Sequence, residues 1–238
     1  ITGGGCDENK LDCEFEKIHA EEQEINEKLS ELRKNAEIST DTQNKIDSAM
    51  EMLAQQNRVL AGQHISEEER ITAKGKHVLV IGGGDTGSDC IGTSNRQGAL
   101  SVTQIEIMPK PPVGHNPNTP WPQWPVVLKT SSSHEEGCIR RWSLTSNRFL
   151  EEDGKVCGVE VEEVEWTPGA EGERPVMKPT GKKEILKADL VLLAMGFLRP
   201  VQPEFPANVF VADDAATGAS LVVKCIAGGR KGLALLGH

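Results

Sequence analysis

The chain has 238 residues, 37% hydrophobic and 26% charged, with a formal net charge of −10. That length allows one large or two small domains with a real core. The acidic balance argues against a nucleic-acid partner, which would need a basic face for phosphates. No apolar run approaches the ~20 residues needed to span a bilayer, and "ITGGGCDENK" has no basic region followed by an apolar core. No membrane partner and no secretory signal are therefore expected, and a cytoplasmic location is.

The first 76 residues hold 17 acids against 10 bases, so about −7 of the charge sits there. In "EFEKIHAEEQEINEKLSELRKNAE" (14–37), Phe15, Ile18, Ile25, Leu29, Leu32 and Ala36 recur at three- and four-residue steps, interrupted by Glu22. This spacing predicts an amphipathic helix. "STDT" (39–42) offers new N-cap residues, and a second helix is expected over about 41–60. Its apolar side would carry Ile46, Ala49, Met50, Leu53 and Leu60, and Gly62 would end it. The pair reads as a helical hairpin, able to pack on the domain or to join copies of the chain.

After the charged connector "SEEER" (66–70) the texture changes. "HVLVIG" reads as a buried strand, Asp85 to Gln97 as a helix capped by Gly98, and "SVTQIEIM" as a second strand. About 32 residues suit one βαβ crossover. "PKPPVGHNPNTPWPQWP" (109–125) carries seven prolines and two tryptophans, so it cannot be regular structure and reads as an ordered loop. "KTSSSHEEGCIRRW" is expected to be partly helical. "KVCGVEVEEVEW" then alternates with period two, as a half-buried strand does. "PVMKPTGKKEILKA" suggests two short strands joined at Pro179-Thr180-Gly181. "ADLVLLAMG" has the fully apolar composition of a parallel strand covered on both faces, and "NVFVA" follows as one more strand. The expected fold is an α/β, Rossmann-like βαβ dinucleotide-binding domain with a β-meander, preceded by the helical hairpin. The expected divisions are 1–70, 71–200 and 201–238.

The spacing Gly82-x-Gly84-x-x-Gly87 matches the dinucleotide fingerprint. The pattern is weak alone and gains force from a strand before it and a helix after it. Gly82 permits the tight turn, Gly84 lets backbone approach a pyrophosphate, and Gly87 lets the helix pack closely. Gly83, Asp85 and Thr86 complete the segment, whose helix N-terminus favours anions. Glu106 lies 19 residues beyond Gly87, where an acid binds a ribose 2′-hydroxyl and disfavours a 2′-phosphate. Lys110 supplies the nearby positive charge. The local reading favours NADH over NADPH. No residue stands out as a catalytic acid or base.

Cysteines at 6, 13, 90, 138, 157 and 225 form no C-x-x-C pair, so free thiols are expected rather than disulfides or a metal site.

Four ordered blocks carry a family resemblance: "AMEMLAQQNRVLAG" (49–62), "GKHVLVIGGGDTGSDCIGTSNRQGA" (75–99), "LKADLVLLAMGF" (186–197) and "NVFVADDAATGASLVVKCIAGGRK" (208–231). From about 49 to 230 the chain resembles the small (β) subunit of glutamate synthase and related flavin-dependent pyridine-nucleotide oxidoreductases. The resemblance implies an NAD(P)H domain inserted in a FAD domain, and hydride transfer from nicotinamide to flavin. It also implies electron exit through iron–sulfur clusters to a large subunit that makes glutamate from glutamine and 2-oxoglutarate. By the same resemblance Met195 and Gly196 form a cofactor-facing strand end. Asp214, followed by Ala215 and Thr217, would contact the FAD ribityl chain or pyrophosphate.

The chain departs from the family pattern in four places. No strand–glycine–helix unit for a FAD adenine dinucleotide precedes residue 76, and Cys6 and Cys13 cannot hold a four-cysteine cluster. Asp213 stands where the family has glycine, and 203–207 is short. The expectation is an NAD(P)H domain with the end of a FAD domain, binding nucleotide with little or no turnover alone. A non-catalytic interaction protein using the acidic hairpin is the alternative.

Overall fold

The computed structural model describes residues 47–114, 116, 126–167, 175–196, 209, 211–212, 214–218 and 222–235. They fall into two compact units, one ending at Gly196 and one containing 209–235. The first predicted helix (14–37) lies outside the described residues, as do Asn208 and Phe210 of "NVFVA", whose Val209, Val211 and Ala212 are described and form no strand.

The larger unit holds a five-stranded parallel sheet in the order β1 (Asp47–Ser48), β8 (Leu190–Leu193), β2 (His77–Ile81), β3 (Ser101–Ile105), β4 (Ile139–Arg141). Helix α1 (Ala49–Leu60) and helix α2 (Asp85–Arg96) precede and follow β2, and a single turn, α3 (Ser132–Glu135), precedes β4. An antiparallel meander, β5 (Leu144–Glu152), β6 (Lys155–Thr167) and β7 (Val176–Lys187), forms a second sheet. The smaller unit shows α4 (Asp214–Thr217) and α5 (Val222–Leu235).

The parallel sheet is covered on both faces, and the strand side chains alternate between two cores. Val78, Val80, Leu190 and Leu192 pack with Ala49, Met52, Cys90 and Ile91 from the helices. Leu79, Ile81, Ile105 and Val191 pack with Leu144, Phe149, Val159 and Val161 from the meander. This explains why "VLVI" (78–81) and "LVLL" are apolar at every position.

Three details differ from the sequence expectations. Helix α1 starts at Ala49, because Asp47 and Ser48 pair in parallel with Leu192 and Leu193 and the sheet edge takes that backbone first. Its buried residues are Ala49 and Met52, while Met50 and Leu60 are exposed. Gly62, at φ 88, ends it as expected, with Gln63 N–H donating to the Arg58 carbonyl at 3.0 Å. Second, 176–187 forms one strand rather than two. At Gly181, φ 81, the ladder bulges instead of turning back. Gly181 N–H donates to Glu162 Oε1 at 2.9 Å, and Thr180 Oγ1 donates to the Glu163 carbonyl at 3.0 Å, replacing the lost ladder bonds. Third, the period-two pattern of β6 is broken by register shifts opposite Leu150/Glu151 and at Glu162/Val164, which let Val156, Val159, Val161 and Val164 all reach the core.

Candidate functional site

The glycine segment sits at the carboxyl ends of the parallel strands. Gly82 N–H donates to the Ile105 carbonyl at 2.9 Å, and Ala194 N–H donates to the Ile81 carbonyl at 2.8 Å, so the turn leaves the sheet with its neighbours still paired. Gly82 has φ 120, and a Cβ on it would lie 2.1 Å from the Ala194 carbonyl oxygen. A Cβ on Gly87 would lie 2.5 Å from the Gly82 carbonyl oxygen. The chain itself requires both glycines: one to turn beside β8, the other to seat α2 on the turn.

Gly84 is different. Its φ is −78, a value any residue adopts, and a Cβ there would meet nothing within 4 Å. It is exposed and serves as N-cap of the 12-residue α2, with no side-chain cap bond. The first N–H groups of α2 thus carry no side-chain cap, where Asp85 adds one acid to the first turn. Thr86 is half-buried beside them. Among the described residues nothing demands the small size of Gly84.

Glu106 leaves the end of β3 and lays its carboxyl group against Gly83. A Cβ on Gly83 would stand 1.8 Å from Glu106 Cδ. The backbone of Glu106 is fixed on both sides, its N–H donating to the Arg141 carbonyl at 2.9 Å and its carbonyl accepting from Leu144 N–H at 3.0 Å. Burial pushes the Glu106 pKa up, and the Arg140 guanidinium draws it part of the way back. Arg140 Nη2 lies 3.7 Å from Glu106 Oε1.

Arg140 arrives from β4, in the stretch expected to be partly helical, whose helical part is α3. Its Nε donates to Gln104 Oε1 at 3.1 Å and its Nη1 to the Lys129 carbonyl at 2.8 Å. Gln104 is fully buried, and its Nε2 donates to the Gly82 carbonyl at 3.0 Å. His134 Nδ1 accepts from Ser131 N–H at 3.1 Å, which assigns the proton to Nε2, 3.3 Å from Gln104 Oε1. Ser88 Oγ on α2 closes the cluster at 2.8 Å from Ser131 Oγ. Burial, then Arg140, lowers the His134 pKa, so the ring is neutral near pH 7. The only sequence signal for this layer was a glutamine within an otherwise strand-like run.

Both Lys110, an exposed residue, and Arg140 lie over the Trp142 ring at 5.1 Å from its centroid. Trp142 Nε1 is buried, and it too draws the Glu106 pKa down.

Met195 is half-buried against the meander-side core, and its N lies 3.3 Å from where a Cβ on Gly82 would be. Gly196 follows with φ 96. Asp214, Ala215 and Thr217 fall in α4 of the other unit, Ala215 being exposed. Cys90, Cys138 and Cys157 are free, and burial pushes the Cys90 thiol up to about 12. Among the described residues there is no cluster of three or more His, Cys, Asp or Glu suited to a metal ion, and no helix long and apolar enough to cross a membrane.

No protein-family model matches the chain. Individual relatives do. The glutamate synthase [NADPH] small chain of Mycobacterium tuberculosis is 41% identical over 211 residues, covering 78% of this chain and 42% of that protein. The glutamate synthase [NADH] of Schizosaccharomyces pombe is 38% identical over 186 residues, 75% of this chain and 9% of that protein. The glutamate synthase [NADPH] small chain of Bacillus subtilis is 30% identical over 212 residues, 77% of this chain and 43% of that protein. The chain thus spans about two fifths of the length of these bacterial relatives. With a strand–glycine–helix turn flanked by Glu106 and sequence identity extending over three quarters of its length, the chain belongs to the glutamate synthase small-chain family.

Proposed function

We propose that the chain binds NAD(P)H, with the pyrophosphate at the Gly82–Gly87 turn and the adenosine ribose at Glu106. Gly84 carries this reading. Its backbone angles and open surroundings would accept a side chain, so its smallness leaves room for something outside the protein. Uncapped N–H groups at the head of α2 suit a diphosphate there. Asp85 and Thr86 line the start of the helix, and Met195-Gly196 ends the neighbouring strand on the nicotinamide side.

NAD(P)H supplies a hydride, and in the family enzyme the acceptor is FAD. This chain's residues would hold and orient the donor, and none acts as acid or base. Asp214, Ala215 and Thr217 are the family's counterparts for holding FAD, while the single glycine fingerprint of the chain fits one dinucleotide rather than two. The corresponding partner is a glutamate synthase large subunit, with cytoplasmic location consistent with free thiols. Self-association would run through the N-terminal helices, of which only the second, as α1 (Ala49–Leu60), falls among the described residues.

The test is a fluorescence titration of the full chain with NADH and NADPH, repeated with Gly84→Val. Saturable binding, weakened at least about tenfold in a variant of unchanged melting temperature, is expected. Binding that Gly84→Val leaves intact would overturn the placement.

A further inference from the structure

We infer that Arg140 determines nucleotide specificity, forming with Glu106 a two-sided receptor for the 2′ substituent of the adenosine ribose. The inference rests on the nucleotide site proposed above and names a group on a different strand from the fingerprint.

Arg140 is held by parts of the protein that are themselves fixed. Nε is bound to Gln104 Oε1 at 3.1 Å, and Nη1 to the Lys129 carbonyl at 2.8 Å. Gln104 in turn holds the Gly82 carbonyl, so the guanidinium is coupled to the phosphate turn through one buried amide. The side chain is 14% exposed. Nη2 is the end directed to Glu106, and their 3.7 Å separation exceeds the ~2.7–2.9 Å of a charge-assisted hydrogen bond. The pair is therefore loose enough for a ligand oxygen to bond both members.

A 2′-hydroxyl uses both sides. Its O–H donates to the Glu106 carboxylate, and its oxygen accepts from Arg140 Nη2. A 2′-phosphate uses one side, accepting from Arg140 while Glu106 repels it. Glu106 alone would exclude NADPH. With Arg140 beside it, the site admits both nucleotides with modest preference for NADH.

The experiment is calorimetric titration of the full chain with NADH, NADPH and the fragment 2′,5′-ADP, in wild type, Arg140→Gln and Glu106→Gln. Wild type is expected to bind NADH and NADPH within about tenfold of each other, since attraction and repulsion offset. Arg140→Gln should weaken NADPH and 2′,5′-ADP by about tenfold or more, and NADH by about threefold, matching loss of a charged against a neutral hydrogen bond. Glu106→Gln should tighten NADPH and weaken NADH. If Arg140→Gln fails to fold by circular dichroism, the Glu106→Gln ratio decides. An NADH-to-NADPH ratio unchanged in the variants overturns the role of Arg140 and leaves the nucleotide site standing. A wild-type chain that binds neither nucleotide overturns both.

Discussion

Gln104 Nε2 donates to the carbonyl oxygen of Gly82 at 3.0 Å, joining the interior of β3 to the first residue of the glycine turn. The same amide accepts from Arg140 Nε and from His134, so one buried side chain satisfies groups on three segments. Gln104→Leu keeps the volume and removes every bond. It should destabilise the chain by about 1–3 kcal/mol, because the buried partners lose their compensation. Urea denaturation checks this, and a midpoint equal to wild type would show the network to be energetically idle.

Gly84 and Gly87 should behave oppositely on substitution. Ser at 84 finds extended backbone, φ −78 and ψ −173, with open space, and it supplies the cap bond that α2 lacks. Gly84→Ser should leave stability unchanged or raise it by a few tenths of a kcal/mol while weakening nucleotide binding. Gly87→Ala drives a methyl into the Gly82 carbonyl and should cost about 1–3 kcal/mol. Thermal melts of both variants, paired with NADH titration, separate the ligand's requirement from the fold's.

His134 makes stability pH-dependent in a definite direction. Its folded pKa is lowered from 6.5, so below that value the unfolded chain binds the proton more readily. Its contribution is fully present above about 6.5 and is lost as pH falls towards the lower folded value. Glu106, whose pKa is raised from 4.5, gives the opposite slope: above 4.5 it costs stability as the pH rises towards its folded value. Stability curves of wild type and His134→Gln should diverge between about pH 7 and 5, with wild type losing more on acidification. Parallel curves would remove His134 from the acid response.

The thiols should be protected. Cys90 is fully buried with its pKa pushed up to about 12, and Cys138 is raised to about 11. Reaction requires thiolate, which is scarce at pH 8 for both. Alkylation followed by peptide mass spectrometry should leave Cys90 unmodified in the native chain and label it in denaturant. Rapid native labelling would mean that α2 opens readily from the sheet.

How much was legible from sequence varied with the range of the interaction. The crossover around Gly82–Gly87 was readable because its signals are local: an apolar strand, three glycines and Gly98, whose φ 86 ends α2 as expected. The start of α1 was not, since helical periodicity carries no sign that Asp47 and Ser48 will be captured by β8, more than 140 positions downstream. The supposed turn at 179–181 failed for a related reason. Proline and glycine mark a break in regular backbone, but only the partner strand, whose Glu162 side chain and Glu163 carbonyl bond Gly181 and Thr180 across the gap, decides between a bulge and a reversal.

By itself, the sequence determined the class of fold and the place where an anion would meet a helix, because both follow from spacing along one short segment. Tertiary structure alone decided what stands around that place. Arg140 and His134 lie more than 25 positions beyond Glu106, with nothing in their spacing to link them to it, and parallel pairing of β4 with β3 brings them to Gln104 and Glu106. The electrostatics of the site, a carboxylate raised by burial and restrained by an arginine, exist only after that pairing forms.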